Sequence, residues 1–187
     1  MSQPATSNQA TDLMDCLTKQ REHVLGILEN LPEEAMRRPV LPTGWTCAGL
    51  VQHLALDVER FWFRQVMTGE QVGPDEFGDD GWQVRPEVSA AAVLDLYRRE
   101  IELADKIITA TSVEAPPAWW PDFFAPGFDL DNLRQVLLHV ITETACHAGH
   151  LDAARELIDG HGLGLVLRRF EEPESKPAAR SMPMAAE

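Results

Sequence analysis

Residues 133–160, LRQVLLHVITETACHAGHLDAARELIDG, decide the fold. On an ideal helix Leu133, Val140, Thr144, Leu151 and Ile158 fall within about 40° of one direction, which marks a stripe that must be buried. One helix cannot bury its own stripe, so partner helices are required. The periodicity predicts a helix over residues 131–158, closed by Asp159-Gly160. The same stretch carries His139, Glu143, His147 and His150. Residues four apart are offset by only about 40°, so His139, Glu143 and His147 form one row. His147 lies about 20° from the centre of the apolar stripe and Glu143 about 60°, so both are expected to point into the interior. His139 and His150 lie roughly 80–100° away, on its margin.

Three more segments show helical spacing. Residues 11–31 repeat Leu13, Leu17, Val24, Leu28 and Leu31 before Pro32 stops them. Residues 47–67 follow Thr46, a good N-cap, with Trp45 placed to pack on Leu50, and Gly69 is the expected stop. Leu50, Leu54, Val58 and Phe61 mark their apolar face. Residues 89–110 align Val93, Tyr97, Ile101, Ala104 and Ile108. No stretch alternates as a strand would. The expected fold class is all-α, a four-helix bundle over residues 10–170. Residues 1–9 are small and polar and are expected to be frayed. Residues 171–187 are polar and proline-containing and are expected to be disordered. The inter-helix loops are long for an up-down bundle, which points to a crossover. One of them, residues 115–129 (APPAWWPDFFAPGFD), gathers Trp119, Trp120, Phe123, Phe124 and Phe128. It reads equally as a lid on the core or as the wall of a binding pocket.

Composition narrows the function classes. The 187 residues hold 30 acids against 16 Lys and Arg, a formal charge of −14. Nucleic acid and anionic membrane surfaces repel such a chain. No apolar run approaches the roughly 18–20 residues of a membrane span. The start of the chain lacks the basic and apolar regions of a secretory signal. Cys16, Cys47 and Cys146 form no disulfide pattern and read as small hydrophobes in a reducing, cytoplasmic protein. His23 and His161 read as surface residues.

A buried carboxylate is costly unless it is paired or coordinates a metal. Spacing alone leaves both readings of Glu143 and His147 open: a hydrogen-bonded pair, or two ligands to a divalent cation. A third ligand would come from a facing helix. His53 is the natural candidate, with Asp57 one turn on to orient it. Three protein ligands leave a coordination position open, as in catalytic sites.

The motifs GWTCAGLVQHLALDVERFW and HVITETACHAGHLDAARELIDG resemble the DinB-like superfamily of four-helix metal proteins. Their closest likeness is to the branch of mycothiol-dependent maleylpyruvate isomerase and mycothiol S-transferases. The resemblance spans about residues 11–160. It implies a metal held by His53, Glu143 and His147, with mycothiol as thiol co-substrate. The isomerase carries an additional C-terminal domain that residues 171–187 do not resemble, so S-transfer to an electrophilic small molecule is expected. A homodimer is expected by the same resemblance. Zinc suits the two-nitrogen, one-oxygen donor set and tolerates thiolate. Asp57 and His150 are the candidate catalytic groups beside the metal. Trp119, Trp120 and Phe123 are the candidate walls of the cofactor and electrophile pocket. The alternatives are a metal-dependent hydrolase and a non-enzymatic metal-binding stress or interaction protein.

Overall fold

The computed structural model describes residues 6–73, 76–78, 80–125 and 127–160. All its regular elements are helical: α1 (Thr6–Ile27), α2 (Glu33–Met36), α3 (Cys47–His53), a π-helical continuation (Leu54–Met67), α4 (Ala90–Ala110) and α5 (Leu133–Asp159). The four-helix expectation therefore holds, with α3 and the π segment acting as one rod and α2 as a short turn in a connection. No helix among the described residues is long and apolar enough to cross a membrane. His161 and residues 171–187 lie outside the described residues.

Capping sets most of the helix ends. The hydroxyls of Thr46 and Ser89 accept from the backbone N–H of Gly49 and Ala92, and the Asn132 side chain accepts from Gln135. Gly69 and Gly160 leave their helices at φ +71° and +76°, the left-handed region where glycine is at no disadvantage. α1 departs from its predicted bounds. It begins at Thr6, inside the segment expected to be frayed, and ends at Ile27 because Asn30 turns the chain at φ +60° before Pro32 is reached.

The π segment corrects the predicted face of the second rod. A four-residue step drifts by about 40° on an α-helix. Yet Leu50, Leu54, Val58, Trp62 and Val66 are all buried, and so are Val51, Ala55, Glu59, Phe63 and Met67. The wider π turns absorb the drift and keep four-residue rows straight. Trp62 therefore takes the core position expected for Phe61, and Phe61 is only half-buried, in a row with His53 and Asp57.

α5 packs principally on α1 and the π segment, and α4 on α3 and the π segment. Connections 28–46 and 111–132 thus carry the chain across the bundle, as the loop lengths implied. The helices are also tied by charge. Arg21 of α1, 3% exposed, donates Nε and Nη2 to the two carboxylate oxygens of buried Glu59 at 2.7 and 2.6 Å. Its Nη1 reaches Asp105 of α4 at 2.7 Å. Burial opposes the Arg21 charge, but Glu59 and Asp105 more than offset it and raise its pKa. Glu100 of α4, also buried, accepts from Arg60 at 2.9 Å and from Arg64. His23, expected at the surface, is half-buried and pairs with Asp152 of α5 at 3.0 Å. Cys47 is the one core cysteine, its thiol pushed up to about 11 by burial, whereas Cys16 and Cys146 are exposed.

Arg21→Met removes the guanidinium that pairs with Glu59 from α1 and leaves its carboxylate without that partner. Urea unfolding should show a loss of about 3–5 kcal/mol, and the double change Arg21→Met/Glu59→Leu should recover most of it.

Candidate metal centre and its pocket

His53 ends α3 and Asp57 follows four residues later on the same row. The Asp57 carboxylate lies 2.8 Å from His53 Nδ1. An Nδ1–H directed at Asp57 leaves the lone pair on Nε2, the arrangement of a histidine oriented as a ligand. Trp82 lies flat on the His53 ring, with centroids 4.2 Å apart and planes at 18°. Two glycines let it come so close. A Cβ on Gly49 would stand 2.4 Å from the Trp82 carbonyl oxygen, and one on Gly81 would stand 2.0 Å from Asp57 Oδ2. Buried Gln52 donates to the carbonyls of Asp80 and Gln83 at 2.9 and 3.3 Å, and Asp80 Oδ1 accepts from the Trp82 N–H at 2.8 Å. The connection after the π segment is thereby pinned over His53.

α5 brings the other residues. His147 Nε2 is 3.5 Å from Glu143 Oε2, and the His147 ring stands edge-on to His53 with centroids 5.0 Å apart. One donor atom each from His53, Glu143 and His147 all lie within 4.8 Å of one another, so the three could hold a metal ion. Two imidazole nitrogens and a carboxylate oxygen fit a divalent cation. Burial lowers the His147 pKa and the neighbouring His53 adds to this, so the neutral, ligating form prevails over the pull of Glu143. The expectation of an interior site is corrected. The His53 and His147 side chains are 15% and 13% exposed, but that of Glu143 is 40% exposed. The group sits at the bundle margin, between the α3–π rod and α5. A carboxylate there keeps part of its hydration and is less costly than in the core.

A cavity of about 340 Å³ opens beside it, lined by His53, Asp57, Val58, Phe61, Trp62, Phe123, Phe124, His139 and Glu143. His53 and Glu143 belong to both the triad and the cavity wall. Of the predicted wall residues, Phe123 lines the cavity. Trp119 and Trp120 stand behind it, Trp119 against Phe61 and Trp120 against Trp62 and Phe124. The loop that carries them is anchored where the N–H groups of Ala118 and Trp119 both meet the Val66 carbonyl at 3.1 Å. His150 is exposed and stands outside the cavity, its Nδ1 3.4 Å from Nδ1 of His147. His139 does face the cavity, wedged edge-on against Trp62 and Phe128, and burial lowers its pKa. Sequence reasoning missed Trp82, Phe61 and Trp62 as site residues. The signal for Phe61 was its four-residue step from His53 and Asp57. Trp82 left no such signal in the chain.

No curated protein and no solved structure matches the chain. A family model described as mycothiol-S-transferase matches residues 12–160, the span from α1 to the cap of α5 that contains the triad, its supports and the cavity. The chain therefore belongs to the mycothiol S-transferase family.

Proposed function

We propose that this protein is a metal-dependent S-transferase that joins a low-molecular-weight thiol, mycothiol by family, to an electrophilic small molecule. The observation that carries the reading is the shared wall: two of the three candidate ligands, His53 and Glu143, line an otherwise mostly apolar cavity. A thiol drawn to the triad and an electrophile lodged in the cavity are then neighbours, which supplies proximity. His53, Glu143 and His147 hold the cation, for which zinc is the best fit to the donors. Bound there, the cation favours the thiolate over the thiol, which free in solution is only a few per cent ionised at pH 7.

The chain's own residues do the rest. Asp57 holds His53 in one tautomer and orientation, and Trp82 keeps the ring from turning. His150 faces the other nitrogen of His147 and serves as its positioning residue. The aromatic walls exclude water from the reacting carbon. The thiol proton passes to solvent, the sulfur forms a bond to the carbon, and the leaving group departs with the electron pair. A hydrolase would ask Asp57 to act as general base, but its carboxylate is already engaged by His53 at 2.8 Å.

Monochlorobimane should be consumed only when both zinc and mycothiol are present. His147→Ala should lower the rate by at least about a hundredfold while the circular dichroism spectrum is unchanged. Turnover without thiol, on esters or amides, would replace this reading by the hydrolase. Gly81→Ala drives a methyl group into Asp57, so zinc affinity measured against a chromophoric chelator should fall by about 10–100-fold, as for other losses of a ligand's support. Asp57→Asn should reproduce that loss.

A further inference from the structure

The cavity's far wall has a composition that the triad does not require. Phe61, Trp62, Phe123, Phe124 and His139 present five rings to about 340 Å³ of space, a volume at the small end for ligand sites. Trp62 and Phe124 are parallel to within 6°, and Phe123 is tilted at 38° to Phe61. Phe123 is 68% exposed, so its ring adds little to the core, yet it stands at the cavity mouth. With the other rings it makes a concave, mostly apolar wall of the kind that lines small-molecule sites. The polar part of the lining is His53, Asp57, His139 and Glu143, with no lysine or arginine to pair with a ligand anion. A neutral ligand therefore suits the wall beyond the triad. The ring nitrogens of His139 have no hydrogen-bond partner among the described residues and are free to serve a single ligand oxygen.

We infer that the electrophile taken by this site is a neutral, planar aromatic compound of one or two rings, held by the Phe61, Trp62, Phe123 and Phe124 rings. This deepens the S-transferase reading and rests on it for the word electrophile, but the binding preference stands on the cavity alone. A saturated molecule of equal size gains only burial of area, whereas a flat ring also gains the edge and offset contacts of aromatic pairs.

The test is direct binding to the full chain, with and without zinc, by isothermal titration calorimetry. Two unreactive ketones of the same carbon skeleton serve as probes: 2-acetylnaphthalene and its fully saturated 2-acetyldecalin counterpart. Area burial alone gives the saturated ketone equal or tighter binding. The inference requires the naphthyl ketone to bind at least about threefold tighter, as the size of aromatic pair contacts suggests. Phe123→Leu, at an exposed position that does not endanger folding, and Phe124→Leu should each narrow that ratio towards one. Equal or reversed affinities, a ratio unmoved by both substitutions, or no measurable binding of either ketone would overturn the inference. Because no thiol and no turnover enter this measurement, its failure leaves the S-transferase reading standing. Conversely, absence of thiol-dependent turnover would remove that reading and leave the aromatic preference intact.

Discussion

The rod from Cys47 to Met67 is α-helical to His53 and π-helical from Leu54 onward, and the site depends on that wider winding. On an α-helix, His53, Asp57 and Phe61 would fan out by about 40° at each step. The π turns hold them in a single file that faces α5. The file runs from a candidate ligand, through the carboxylate that orients it, to the aromatic wall of the cavity. The same winding turns Glu59 inward to Arg21 and leaves Trp62 beneath the aromatic loop. A π-helical stretch is costly in backbone geometry and recurs at functional sites. Here it aligns chemistry and core along opposite edges of one helix.

Buried charge stabilises the frame in which that helix sits. Glu59 and Glu100 are both about 1% exposed, and each is met by arginine. Such pairs add little net stability over apolar packing, but losing one partner is severely destabilising. They therefore act as registers. α1 and α4 can meet the rod at only one longitudinal position without leaving a carboxylate unpaired. The register holds α5 at the height where Glu143 and His147 stand opposite His53, because α5 packs on α1.

Much of this was legible in the residues. The apolar stripe of 133–160, the Thr46 cap and the glycine stops at 69 and 160 sufficed for the helices, because each of these signals acts within a few residues of itself. That His53, Glu143 and His147 come together was legible because Glu143 and His147 are four residues apart on α5 and the family resemblance singles out His53 on the facing rod. The depth of the site was not legible. An angular position on a helix does not say whether the neighbouring helix closes over it, and the Glu143 side chain stays 40% exposed. Trp82 was not legible either. Its stacking on His53 depends on two absent Cβ atoms, at Gly49 and Gly81, in separate parts of the chain. The phase of Phe61 and Trp62 was misjudged because a π turn changes the period on which periodicity itself is read.

The triad and its supports make one claim above the others: that His53, Glu143 and His147 grip a single cation between the rod and α5. Anomalous diffraction at the zinc edge, on crystals of the full chain grown with zinc, tests it most directly. The account predicts one strong peak at about 2.0–2.2 Å from a nitrogen of His53, a nitrogen of His147 and an oxygen of Glu143, with Asp57 still bonded to His53. A map with no peak among these three side chains, or with zinc only on other surface acids and histidines, would contradict it.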